Sequence, residues 1–285
     1  MAPLLPKGDL AAAELAFFGV AFVVSIAVNI RHGFGRSSGW LYLVVLSILR
    51  IIGAAAVIYS ETKNDYTQSL IEVAAITSSI GLAPLLLALS GIIARVNNGM
   101  SSRGLNTTIF RVIQLVGVAA LVLAIVGGVK VIGGASDPHS SSTKTGQHLM
   151  EASYILFLAL YIFVAGVTIL TSTRRGDMLP GEHTLLYAGL AALPFILVRA
   201  LFGVLVAFAK PGGTFYIEDV NVYCEAFMQF LMEAITVTIF AIAGLMTPKL
   251  KDMVRQDGAQ GKDVEILSGP DPGRVRQMEA ERGQL

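Results

Sequence analysis

An all-α polytopic membrane protein of seven transmembrane helices, N-terminus outside and C-terminus cytosolic, is the fold that the 285-residue sequence predicts. Three observations carry that expectation. Seven apolar stretches each approach the roughly 20 residues that a helix needs to cross about 30 Å of hydrocarbon. Composition agrees, with 54% hydrophobic and only 14% charged residues, whereas soluble domains carry about a quarter charged residues. Lys and Arg alternate between dense and sparse from one connection to the next. The runs lack the alternating polarity of barrel strands, which leaves helices as the spanning form.

The first span, near 10–30, ends in Val28-Asn29-Ile30-Arg31 rather than a small-residue cleavage site, so it reads as a retained helix and not a signal peptide. The second, near 40–60, carries Arg50 at its middle. The third, near 69–94, carries Glu72 near its start and Pro84, an expected kink. The fourth, near 108–134, contains Gly117, Gly127, Gly128, Gly133 and Gly134. Such small residues allow close packing on a neighbouring helix or, in a homo-oligomer, on a second copy. Ser136 to Gln147 then reads as a flexible connection. The fifth span lies near 149–171, the sixth near 184–209 with Pro194 as a second kink and Arg199 beyond it, and the seventh near 222–246 with Glu225 and Glu233. Residues 1–248 thus form one transmembrane domain. The tail, 249–285, mixes charge with Gly and Pro and is expected to be a largely disordered cytosolic segment.

Orientation follows from the basic residues. Arg31 and Arg36, Arg95 and Arg103, Arg174 and Arg175, and Lys249, Lys251 and Arg255 follow the odd-numbered spans. The opposite side has Lys7, Lys63, Lys144 and Lys210, one per segment. Positive residues accumulate in cytoplasmic connections, which puts the N-terminus outside. A sequon, Asn106-Thr107-Thr108, falls in an inner loop and is expected to stay unmodified.

Counting 1.5 Å per residue from each span end sets the depth of the charges: Arg50 about 15 Å up, Glu233 about 17 Å down and level with it, Arg199 about 22 Å up, Glu225 about 5 Å down. Glu14 and Glu72 lie within a turn or two of the outer boundary. Ionisable groups inside a bilayer are costly and mark pairing or functional sites. Two readings compete. In one, Arg50 pairs with Glu233, and Arg199 with Glu225 or Glu72, and the pairs only fix helix register. In the other, the same groups line an outward-facing polar cavity. Four carboxylates against two arginines leave acid that pairing does not use, which favours the cavity.

Several classes are excluded by what their chemistry requires. The last span holds no lysine for a retinal Schiff base. His32, His139, His148 and His183 fall in loops or at span ends, so neither an intramembrane metal site nor paired haem ligands are expected. His148 and Glu151, one turn apart, are a weak metal-ligand signal. Cys224 is the single cysteine, which rules out an internal disulfide. No phosphate loop or nucleophile elbow is present, and a net charge of +1 argues against nucleic acid. No enzymatic activity, cofactor or metal is therefore expected. G-protein-coupled receptors share the topology, but their Asp/Glu-Arg-Tyr and Asn-Pro-x-x-Tyr motifs are missing.

Three runs point further: Leu82-Ala83-Pro84 with Ala88, Val198-Arg199-Ala200-Leu201-Phe202, and Asp219-Val220-Asn221-Val222-Tyr223-Cys224-Glu225. With them the chain resembles an uncharacterised fungal family of seven-helix integral membrane proteins, over residues from about 10 to 247. More distantly it resembles the fungal lipid-translocating exporters linked to aminocholesterol and sphingoid-base resistance. Where those exporters commonly continue with a basic residue and a carboxylate, this chain has Gly203-Val204-Leu205. The resemblance implies binding or translocation of a small amphipathic molecule such as a cationic amine, with membrane lipid as surroundings; the architecture alone suggests the plasma membrane as location. A receptor-like sensor with a cytosolic partner and a ligand-free structural protein remain the alternatives.

Overall fold

With no water to satisfy backbone polar groups, each apolar run must close its hydrogen bonds within itself. The computed structural model describes residues 5–32, 39–100, 104–134, 140–174, 181–209, 213–215 and 220–248. In it, seven helical segments are long and apolar enough to cross a membrane, and no strand occurs among the described residues. They are α1 (Pro6–His32), α2 (Trp40–Lys63), α3 (Gln68–Ile80) continued by α4 (Leu82–Asn98), α5 (Thr107–Gly133), α6 (Ser141–Thr173), α7 (His183–Ala207) and a composite last span. That last span consists of α8 (Val222–Glu225), a π-helical stretch (Ala226–Leu231) and α9 (Met232–Met246). The expected tail beyond residue 248 lies outside the described residues.

Burial divides the spans sharply. Only 33% of the apolar window of α1 is buried, against 89% of the window across α3 and α4. Every residue of α4 from Leu82 to Asn97 is buried, and the helix packs on α2, α5, α6 and α7. Its sequence explains this: a helix apolar on all sides suits the axis of a bundle. The other spans present Val20, Val23, Leu115, Ile162 and Met246 outward, the surface that lipid would cover.

Two expectations meet a different local structure, and the two prolines differ in their surroundings. The third span is interrupted in its helical hydrogen bonding at Gly81, one turn before Pro84, which has no N–H to donate to the Ile80 carbonyl; Gly81 itself keeps right-handed helical dihedrals. The span also runs on to Asn98, so Arg95 is a buried helical residue and not part of the loop. Pro194, by contrast, sits inside a helix that continues from His183 to Ala207. The expected flexible segment before the fifth span is helical from Ser141, where Ser140 caps the helix by accepting from the Thr143 N–H.

The glycines of α5 make their close approaches within the chain. A Cβ on Gly127 would stand 2.9 Å from the Gly146 carbonyl oxygen and 2.8 Å from the Met150 amide nitrogen, so α5 and α6 touch backbone to backbone there. Gly117 faces Leu87, Gly128 faces Ile76 and Gly133 faces Glu72. At the start of α2, Gly39 adopts φ +75°, and its Cα lies against the backbone of Ala88 and Ile92 in α4. Asn106 caps α5, its side chain accepting from the Thr108 N–H at 2.9 Å.

Candidate functional site: a buried ion triad beneath an acidic cavity

Arg50 lies eleven residues along α2 from the Gly39 contact, about 16 Å along the helix axis. That level meets Glu233 in the first turn of α9. Arg50 Nε donates to Glu233 Oε2 at 2.7 Å and Nη2 donates to Oε1 at 2.6 Å, a bidentate pair. Arg199 of α7 joins it, Nε donating to the same Oε1 at 2.6 Å. All three side chains are at most 3% exposed. Arg199 also donates from Nη2 to the Ser78 carbonyl at 3.0 Å and stands 5.7 Å over the Phe202 ring. Its Nη1 has no hydrogen-bond partner among the described residues.

The helix break serves this cluster. A side chain at Gly81 would put Cβ 2.8 Å from Arg50 Nη2 and 2.9 Å from Glu233 Oε1, so glycine here leaves the ion pair its room and a larger residue would displace it. Ser79, just before the break, accepts from the Tyr154 hydroxyl at 3.3 Å. The last span contributes through its π turn. Residues four apart drift by about 40° at 3.6 residues per turn, and the wider π stretch takes up that drift between Glu225, Gln229 and Glu233. Gln229 Nε2 donates to Ser78 Oγ at 2.8 Å and to Glu225 Oε1 at 3.3 Å. Local π turns in a helix often mark functional positions.

The depth count brings Arg50 and Glu233 together correctly. It expected Arg199 to pair with Glu225 or Glu72; Arg199 instead shares Glu233 with Arg50. Depth fixes level and not rotation about the axis, and rotation decided the partner. Glu72 is apart from the cluster, half-buried on the face of α3 turned to α5, 3.9 Å from the Cβ position of Gly133.

Above the triad, at the end of the bundle where α1 and α3 begin, lies a cavity of about 330 Å³. Glu14, Glu61 and Glu225 are its carboxylates, Ser78, Ser79, Tyr154 and Gln229 its neutral polar groups, and Leu70, Ile71, Phe202 and Val206 part of its apolar wall. Exposed Lys7, Tyr66 and Ile71 carry it to the surface. A smaller space of about 40 Å³, lined by Glu14, Arg50, Thr77, Ser78 and Glu225 among others, lies alongside and reaches down to Arg50. Glu14 is 8% exposed and makes no hydrogen bond or ion pair among the described residues. With both arginines bonded to Glu233, the carboxyls of Glu14 and Glu225 face the cavity without a hydrogen bond to either.

Residues 5–250 match the family model of a domain of unknown function, DUF7702, which covers every described helix. The chain belongs to the DUF7702 family. No curated protein matches it.

At the opposite end, the DUF7702 domain holds a second polar cluster that depth counting missed. Arg95 of α4 donates from Nε to Glu182 Oε1 at 3.2 Å, and its Nη1 lies 2.9 Å from His32 Nδ1. His32 Nε2 is 2.7 Å from the Gly244 carbonyl oxygen, and Arg31 donates to the Leu245 carbonyl at 2.8 Å, so the end of α1 holds the last turn of α9. His32 also stacks on Trp40, ring centroids 5.7 Å apart. The sequence signal was Arg95 itself, the lone charge in the apolar run from Leu82 to Val96.

Glu182, ahead of α7, is fully buried, and its Oε2 has no partner among the described residues. Burial pushes its carboxyl above the ordinary value of 4.5, and Arg95 only partly opposes that. A carboxyl with a raised folded value binds its proton more tightly in the folded state. Its stabilising contribution is therefore present below pH 4.5 and lost as pH climbs through the folded value. Thermal unfolding across that range is expected to show a decline in stability that Glu182→Gln removes; equal pH profiles for both proteins would contradict the assignment. His148 and Glu151, the weak metal signal, form an exposed contact at 3.2 Å with no further ligand of that kind gathered among the described residues.

Proposed function

We propose that the protein binds a small amphipathic cation, an alkyl amine in chemical class, in the acidic cavity, and that it is a membrane binding or translocating protein and not an enzyme. The carrying observation is the buried Glu14 carboxyl, without a hydrogen bond or ion pair among the described residues, beside Glu225 in a cavity with an apolar wall. An uncompensated charge in such surroundings is unfavourable, and a cationic headgroup relieves it. The volume suits a headgroup and the first methylenes of a chain, whose remainder leaves along Ile71 and Val206 toward lipid. The arginines make no hydrogen bond to Glu14 or Glu225 among the described residues, because Glu233 accepts from both. Arg31, Arg95 and Arg174 sit at the other end of the bundle, which supports an outward-facing cavity, with the plasma membrane as the proposed location. Translocation, implied by the resemblance to lipid-translocating exporters, is the finer part of the reading.

Equilibrium binding of hexyltrimethylammonium to the full chain in maltoside micelles tests it. Glu14→Gln with Glu225→Gln is expected to weaken binding by about tenfold or more, the loss of roughly 1.4 kcal/mol or more, with thermal stability unchanged or raised. Undiminished affinity in the folded double variant would remove the carboxylates from the site.

A further inference from the structure

Charge balance at the site carries a second step. Within the bundle, Glu14, Glu225 and Glu233 face Arg50 and Arg199, three acids against two bases, and these are the charged groups that act on Glu14. The remaining groups around the cavity leave the same excess of one acid. Lys7 on α1, whose charge acts on Glu225 from the mouth, is matched in number by Glu61 on α2, so the sum becomes four acids against three bases; Tyr66 ahead of α3 and Tyr154 on α6 complete the polar lining. The triad itself is closed: Arg50 gives Glu233 two hydrogen bonds and Arg199 a third, so neither guanidinium is released to neutralise Glu14. One negative charge therefore remains, shared between Glu14 and Glu225, which line both the main cavity and the 40 Å³ space next to it.

That smaller space has room for a water molecule among several polar partners, and it joins the two carboxyls to the open cavity. Charge left alone in low dielectric is expensive, so one positive charge should occupy the pair in every state of the protein. When no ligand is bound, a proton is the cation at hand.

We propose that the site is an exchanger: a cationic headgroup enters the Glu14–Glu225 pair as one proton leaves it through the cavity to water. No bond other than the carboxyl O–H is broken, and the charge of the site is the same before and after. The proposal rests on the cavity being a cation site, as set out above. It adds that ligand uptake and proton release are one event, so that a pH difference across the membrane can drive ligand binding on one face.

Calorimetric titration of the full chain with hexyltrimethylammonium, whose quaternary nitrogen cannot exchange a proton, separates the two. At one pH near neutrality, titrations in phosphate and in Tris should give apparent enthalpies that differ by the release of about one proton per cation bound. Affinity should weaken by up to about tenfold for each unit the pH is lowered, the limit set by one displaced proton. Glu14→Gln and Glu225→Gln should each bind more weakly and release no proton. Binding with equal heats in both buffers would overturn the exchange and leave the cation site standing. Absence of binding by the wild-type protein would overturn the cation site itself. The comparison between buffers needs no variant, so a variant that fails to fold does not affect it.

Discussion

Replacing Glu233 with glutamine is expected to be the most damaging single change in the bundle, lowering stability by about 3–5 kcal/mol. Glu233 receives three hydrogen bonds from two guanidiniums that are themselves at most 3% exposed. An amide keeps the shape and loses the charge, so Arg50 and Arg199 meet a neutral group that can accept through one oxygen only. The cost is that of removing the one carboxylate bonded to both buried cations, and not of one hydrogen bond. A triple variant, Arg50→Met, Glu233→Leu and Arg199→Met, removes all the charges at once and should recover much of the loss, since apolar replacement of a whole buried ion cluster is often neutral or stabilising. Thermal unfolding in micelles reads both. A Glu233→Gln protein as stable as wild type would mean that the triad holds nothing together.

Gly39→Ala is expected to have the second largest effect. Two costs add at this position. The left-handed backbone at φ +75° disfavours any residue with a Cβ by about 1–2 kcal/mol. The added atom would also stand 2.5 Å from the Ala88 carbonyl oxygen and 2.8 Å from the Ile92 amide nitrogen, both backbone atoms of the fully buried α4. Overpacking of this kind adds about 1–3 kcal/mol, because backbone cannot swing aside as a side chain end can. The consequence reaches the site. Gly39 sets where α2 starts against α4, and Arg50 is carried on α2 to the level of Gly81 and Glu233. A shift at Gly39 should thus lengthen the Arg50–Glu233 bonds as well as lower the unfolding temperature. Unfolding temperatures within a degree of one another for wild type and Gly39→Ala would contradict this.

Much of the architecture was legible because it depends on one-dimensional quantities. Run length identifies spans, and rise per residue places Arg50 level with Glu233. The partner of Arg199 was not legible, because it depends on the rotation of α7 and α9 about their axes. The break at Gly81 was hidden inside an unbroken apolar run. Pro84 was the visible signal, but the hydrogen bond it removes lies one turn nearer the N-terminus. Glu72 shares one end of the bundle with Glu14 and Glu225, yet it faces α5, and depth alone could not distinguish the three. Arg95 looked like a loop residue because it follows the apolar window of its span. It proved to be buried and paired with Glu182, a residue with no periodic context to announce it.

These residues divide into two roles. Glu233 with Arg50 and Arg199 closes the middle of the bundle, and its removal should affect folding. Glu14 and Glu225, a turn or more away on the cavity side, are bonded to neither arginine, and their neutralisation should affect ligand and not fold. That separation between structural and binding acid is the central claim.

Its most direct test is the structure of the full chain in complex with 6-bromohexyltrimethylammonium, whose bromine marks the tail. The expected result places the nitrogen within about 4–6 Å of both the Glu14 and Glu225 carboxyls, the range over which such charges act strongly on one another. The bromine should lie toward Ile71 and Val206, with the Arg50–Glu233–Arg199 triad unchanged. A cation bound elsewhere, or a closed cavity with Glu14 bonded to Arg50 or Arg199, would contradict it.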